Sequence, residues 1–204
     1  MGMLSGVILA GGANRRMNGE QKALLPFEGK PLIVRQLDAM KEICDELIVV
    51  TNDPRPYLNV VDRSVRIISD FFMGHGSLGG MHAALSLAKY ASVWVVGCGM
   101  PFISSEAAQL LLRRKLEGFE AVVPLVADKL HPLHGIYDRA ACAFHIGRLL
   151  NQGHTSVSTL LRHIFWSELG DQFWLERGID MRFVSQMTTL EDYQYMKLLH
   201  TQLK

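Results

Sequence analysis

The chain has 204 residues, 49% of them hydrophobic and 20% charged, with a formal net charge of +1. That length supports one sizeable core, and this balance without a run of like charge argues against a nucleic-acid or membrane surface as the main partner. No apolar stretch approaches the ~20 residues needed to cross a bilayer, and the start of the chain does not read as a signal peptide. The expected compartment is therefore the cytoplasm. Cys44, Cys98 and Cys142 are odd in number and widely spaced, which fits neither a disulfide framework nor a Cys-x-x-Cys metal site.

Strand-like and helical patterns alternate along the chain. Leu4–Leu9 is predicted as a buried strand. A helix is expected to open at Pro31 and carry Leu32, Gln36, Leu37, Met40 and Ile43 at helical spacing. Strands are expected over Glu46–Thr51, Val65–Ile68, Val93–Val96 and Ala121–Val123. Helices are expected over Leu78–Ala88 and over Ser104–Leu116, the latter capped by Ser104 or Ser105. After Val123 the alternation loosens. His131–Tyr137 reads as an extended piece beside a turn, Arg139–Leu150 and Ser156–Ile164 as helices, Arg182–Val184 as a late strand and Leu190–Leu203 as a closing helix.

Apolar strands alternating with helices imply parallel βαβ units. The expected fold is an α/β three-layer α/β/α sandwich with a mostly parallel sheet, Rossmann-like. One domain over 1–204 is expected, with a nucleotide-binding half over about 1–124 and an acceptor-binding half over about 125–204. Ligands of such sheets sit beyond the carboxyl ends of the strands. The loop after the first strand, Asn52, Asp70 and Cys98-Gly99 all fall there, so four segments are expected to converge on one pocket.

The first loop runs Leu9-Ala-Gly-Gly-Ala-Asn-Arg-Arg-Met-Asn-Gly-Glu-Gln-Lys22. Gly11 and Gly12 let backbone approach a ligand, and Arg15, Arg16 and Lys22 supply three cations. A strand, a glycine turn and a basic loop suit a polyphosphate. The P-loop pattern is excluded because Ala23 follows Lys22, and the dinucleotide fingerprint because the glycines are adjacent. The loop resembles the L-A-G-G-x-x-x-R-M-x-x-x-x-K signature of nucleotidyltransferases. With Ala23-Leu-Leu-Pro-Phe-Glu-Gly-Lys-Pro-Leu32 after it, it is most similar to the molybdenum cofactor guanylyltransferases.

That resemblance implies a nucleotide-diphospho-sugar-transferase-like fold and the transfer of GMP from GTP to molybdenum-molybdopterin, with release of pyrophosphate. It implies Arg16 and Lys22 as the residues that hold the triphosphate. Leu9, Ala10, Gly11 and Gly12 would contact the nucleotide, Asp70 the base or ribose, and Thr51 or Asn52, with Asn52 preferred, the end of the second strand. Gly74-His-Gly-Ser-Leu-Gly-Gly-Met81 resembles the family's G-P-L-A-G segment, with Ser77 for proline and Gly79 for alanine. His131 and Thr188 are the expected acceptor-binding residues. Cofactor-synthesis proteins and molybdoenzymes are the implied protein partners.

Two departures stand out. The family's C-D-x-P reads Cys98-Gly-Met-Pro101 here, so Gly99 occupies the place of the aspartate that binds Mg2+, and the metal ligands of this chain are unassigned. Gln186-Met-Thr-Thr-Leu-Glu-Asp192 aligns with N-x-N-T-P-E-D, with Gln186 and Thr188 for the asparagines. The alternatives kept open are a cytidylyl or sugar-phosphate transferase of the same fold and a catalytically impaired nucleotide-binding protein.

Overall fold

The computed structural model describes residues 3–11 and 20–201, the last two by backbone alone. Its centre is β1 (Leu4–Leu9), buried at every position and hydrogen-bonded in parallel to β4 (Glu46–Val50) on one side and β6 (Ser92–Gly97) on the other. The sheet order is β10-β7-β9-β6-β1-β4-β5, where β5 is Arg66–Ile68, β7 Ala121–Val126, β9 His134–Asp138 and β10 Trp166–Leu169. β9 runs antiparallel to both of its neighbours, and the other neighbouring pairs on this path are parallel. β8 (Lys129–Leu130) folds back on β7, and a separate hairpin joins β2 (Pro26–Phe27) to β3 (Lys30–Pro31).

Alternation along the central strands splits the core into two layers. Leu4 and Ile8 of β1 and Trp94 and Val96 of β6 pack with α1 (Leu32–Lys41) and α3 (Ser105–Lys115), through Leu37, Met40, Leu111 and Leu112. Val7, Leu9, Val93 and Val95 face α2 (Gly76–Leu87) and α4 (Arg139–Asn151), through Met81, Leu85, Ile146 and Leu149. Gly6 lets α1 close on the sheet: a Cβ there would stand 2.9 Å from the Cys44 sulfur and 3.1 Å from Met40 Sδ.

Most expected elements are present with shifted ends, and Ser104 caps α3 by accepting from the Ala107 N–H at 3.1 Å. Four differences have physical reasons. Pro31 closes the β2–β3 hairpin and the helix begins one residue later, ending at Lys41, short of Ile43. The expected helix over Ser156–Ile164 is one turn, α5 (Val157–Leu160), because the chain leaves it to add β10 to the sheet edge. Arg182–Val184 is no strand; Met181–Val184 forms a 3-10 turn whose first residues are held by the Asp180 carboxylate. β10 and α6 (Asp171–Leu175) were not foreseen, since each is short.

One ion pair stitches the second half to the first. Lys115 at the end of α3 is 8% exposed and reaches Asp138 at 3.0 Å. Asp138 also caps α4 by accepting from the Ala140 and Ala141 N–H groups, each at 3.1 Å. Burial alone would raise the Asp138 carboxyl. The bonds from Ala141, Lys115 and Ala140 outweigh it and hold the group below the usual carboxylate range. A depressed folded value stabilises the protein above the unfolded value of about 3.9 and is lost as pH falls through the folded one. Asp138→Asn should therefore lower stability at neutral pH, and the gap to the unsubstituted protein should shrink as pH falls below about 4. Denaturant melts across that range test both.

Candidate active site

The carboxyl ends of β1, β4, β5 and β6 open on one cavity of about 680 Å³. β1 supplies Leu9, then Ala10 and Gly11. β4 supplies Val50, then Thr51 and Asn52, and β5 leads into Asp70. The turn after β6 supplies Gly97, Cys98 and Gly99. Gly74, Gly76, Ser77 and Gly80 approach from the start of α2. The expected convergence of four segments is what the fold builds.

The local reasons are visible. Ala10 continues the ladder by donating its N–H to the Val50 carbonyl at 2.8 Å, and Cys98 does the same to Leu9 at 3.1 Å, so three strand ends stay level. Asn52 Oδ1 accepts from the Asp70 N–H at 3.0 Å and fixes the two loops together. Asp70 Oδ1 accepts from the Phe72 N–H at 2.7 Å. A Cβ on Gly79 would stand 2.8 Å from Asp70 Oδ2 and 2.8 Å from the Phe72 carbonyl oxygen, so the glycine at this place makes room for the carboxylate. Lys22 opens a 3-10 turn, Lys22–Leu24, on the cavity wall. Gln21 Nε2 ties that turn to Asp53 Oδ2 at 3.1 Å. Burial pushes the Cys98 thiol up, with the charge of Lys22 pulling the other way, so this cavity cysteine stays a neutral thiol.

Gln36 braces the floor. It is buried in α1, and its side-chain N–H groups donate to the carbonyls of Gly97 and Met100, each at 2.9 Å. His134 lies beneath on β9, with Nε2 accepting from the Ser104 N–H at 3.2 Å and its ring against Trp94 and Phe183. Burial pushes it down to about 3, so it is a neutral packing residue.

Of the sequence-derived site residues, Leu9, Ala10, Gly11, Lys22, Asn52 and Asp70 line the cavity, as does Gly99. Gly12, Arg15 and Arg16 lie outside the described residues. His131 and Thr188 do not line it. His131 closes the β7–β8 hairpin, its N–H donating to the Pro124 carbonyl at 2.9 Å. Thr188 donates N–H and Oγ1–H to Asp192 Oδ2 at 2.7 and 2.8 Å, at the start of α7 (Leu190–Thr201). Thr189 and Asp192 there exchange bonds as a capping box. Tyr57 and Leu133 line the cavity without having drawn attention in the sequence, since neither an isolated Tyr nor an isolated Leu in a loop carries a pattern.

A magnesium ion held by a carboxylate at position 99 does not fit these residues. Glycine offers no side-chain oxygen, and a Cβ built there would stand 2.7 Å from the Met187 carbonyl oxygen.

Comparison with known proteins places the chain in a family. Residues 6–169 match the model of the MobA-like NTP transferase domain. The chain belongs to this family of nucleotidyltransferases. It is 32% identical over 162 residues to the molybdenum cofactor guanylyltransferase of Desulfosudis oleivorans, covering 78% of this chain and 77% of that one. It is 32% identical over 206 residues to a probable molybdenum cofactor guanylyltransferase of Methanosarcina acetivorans, covering 94% and 89%. The crystal structure of molybdopterin-guanine dinucleotide biosynthesis protein A from Archaeoglobus fulgidus superposes with a TM-score of 0.79 at 24% identity, over 97% of this chain and 99% of that one. A 2-C-methyl-D-erythritol 4-phosphate cytidylyltransferase from Thermus thermophilus superposes with a TM-score of 0.69 at 16% identity, over 97% and 98%. The MobA-like chain thus shares its fold with transferases of different nucleotides, and it is an enzyme of the nucleotidyltransferase type.

Proposed function

We propose that this nucleotidyltransferase moves GMP from GTP to the terminal phosphate of a molybdopterin-type cofactor and releases pyrophosphate. The observation that carries the reading is the polarity of the cavity. Its β1 and β6 side presents Lys22, backbone and a glycine turn, and its β4 and β5 side presents Thr51, Asn52 and Asp70. β5 lies three strand spacings from β6, about 14 Å, a span that suits a nucleoside triphosphate laid across the strand ends. A carboxylate at the far end accepts from the ring N–H and exocyclic amine of guanine. The names of the curated relatives support guanine and molybdopterin as the substrates.

In this reading an oxygen of the acceptor phosphate forms a bond to the α-phosphorus as the bond to the pyrophosphate oxygen breaks. The attacking oxygen is already anionic, so no general base is needed. Catalysis is positioning plus charge neutralisation. Lys22, with Arg16 from the first loop, neutralises the leaving pyrophosphate. Backbone at Leu9, Ala10, Gly11 and Gly12 holds the nucleotide, and Asn52 and Asp70 fix its far end. The acceptor side falls to the second half of the chain, with His131 and Thr188 as the residues to test first.

Gly99 favours a second reading, nucleotide binding without turnover. Pyrophosphate release with GTP, CTP, ATP or UTP and molybdenum-loaded molybdopterin decides. Release with GTP well above the other three supports guanylyl transfer. Preference for CTP makes the enzyme a cytidylyltransferase, and GTP binding without release supports the second reading.

A further inference from the structure

The turn after β6 is roofed by main chain. The Met187 N–H donates to the Gly99 carbonyl at 2.8 Å, and the Met187 carbonyl oxygen stands 2.7 Å from where a Gly99 Cβ would be. A Cβ on Gly97 would lie 3.3 Å from Gln186 Nε2. A backbone oxygen does not swing aside as the end of a side chain does. Nor is the strap free to lift. The Met187 side chain is fully buried with Phe27 and Leu32, and the next residues are fixed by Asp192. From below, the two bonds from Gln36 hold the turn against it. The volume a side chain at 99 requires is occupied by the Met187 backbone, with the Gln186 side chain beside it.

Among the described residues no other carboxylate lines this corner. Asp70 is the carboxylate among the described residues lining the cavity, and it follows β5, which is separated from β6 in the sheet by β1 and β4. Residues 12–19 contain no Asp or Glu. Among the described residues no three His, Cys, Asp or Glu side chains cluster as a metal site. Magnesium and manganese are held by carboxylate, phosphate and water oxygens. At this corner the chain offers a neutral amide, Gln186, and the ammonium of Lys22.

We propose that in this chain a main-chain strap has taken the place of a carboxylate-held cation. The free protein then binds no divalent cation at the turn after β6, and a cation enters only on the phosphates of a bound nucleotide. The first part stands on the geometry of Gly99 and Met187, and only the second rests on the nucleotide reading of the cavity.

The test titrates Mn2+ against the full chain, following free Mn2+ by electron paramagnetic resonance, without and with GTP. In parallel, thermal melts compare the protein with Gly99→Ala. Without GTP, no saturable Mn2+ binding is expected below about 1 mM, the range of weak open oxygen sites. With GTP, Mn2+ should become protein-associated in proportion to bound nucleotide. Gly99→Ala should lower Tm by roughly 2–12 °C, as overpacking against a fixed backbone does. Submillimolar Mn2+ binding by the free protein overturns the proposal, and so does an unchanged Tm in Gly99→Ala. Absence of GTP binding overturns the nucleotide reading and the second part, and leaves the Mn2+ and melting results to decide the first.

Discussion

Lys22→Ala should lower kcat/KM for nucleotidyl transfer by about 10²–10³-fold, the loss seen when one preorganised group that stabilises developing charge is removed. The lysine is fixed by its backbone turn and lies on the cavity wall beside Cys98. It makes no ion pair among the described residues, so no partner is left uncompensated by its removal. Stability should stay within about 0.5 kcal/mol of the unsubstituted protein, as for surface changes away from buried features. Lys22→Arg should recover only part of the loss, because a planar fork does not replace a compact ammonium against a phosphate oxygen. Steady-state pyrophosphate release with paired melting curves separates the two effects. A tenfold or smaller loss of turnover would remove Lys22 from the chemistry.

Trp174→Ala should cost about 3–5 kcal/mol, the range for truncating a fully buried large aromatic. Trp174 of α6 is 0% exposed. Its indole N–H donates to the Leu169 carbonyl at 2.9 Å, and its ring meets Phe173 and Phe183 edge-on with centroids 5.3 and 5.0 Å apart. It therefore joins β10, α6 and the 3-10 turn over Met181–Val184 on one side chain. Phe183 in turn packs on His134, below the site. At about 2–4 °C per kcal/mol for a chain of this size, Tm should fall by about 6–20 °C. Differential scanning calorimetry measures it. A fall of less than about 3 °C would mean the late segment is held by something other than this cluster.

The first half of the fold was readable because its strands are apolar on both faces and its helices carry clear starts. Val93-Trp-Val-Val96, apolar throughout, belongs in the buried middle of a sheet, and β6 lies there, parallel to β1 and antiparallel to β9. The second half was less readable because its elements are short and its pairing is long-range. His134–Asp138 is antiparallel between β7, which shortly precedes it, and β6, far earlier in the chain, and Trp166-Ser-Glu-Leu169 carries only two apolar residues. Arg182-Phe-Val184 has a strand's composition, yet Asp180 captures the Arg182 N–H at 2.9 Å and turns the chain instead.

Of the residues that line the cavity, Gly11, Asn52 and Asp70 after strand ends and Lys22 in the basic loop were legible in the sequence. What Gly99 means was legible only in part. The sequence showed that a carboxylate was missing there, and the Met187 carbonyl explains what stands in its room. Thr188 was assigned to the acceptor side by its alignment with an asparagine, and its two bonds to Asp192, which place it at the start of the last helix, carried no signal in the sequence. Gln36 was legible only as one of the residues at helical spacing in α1, because nothing in the sequence shows the two carbonyls it serves.

The most direct test of the account is a calorimetric titration of GTP and CTP into the protein and into Asp70→Asn. GTP should bind one per chain and more tightly than CTP. Asp70→Asn should lose most of that preference, by about tenfold, since an amide oxygen accepts in place of a carboxylate that takes two guanine N–H groups. GTP and CTP binding equally to the unsubstituted protein, or an undiminished preference in Asp70→Asn, would contradict the assignment of Asp70 to the base end of the cavity.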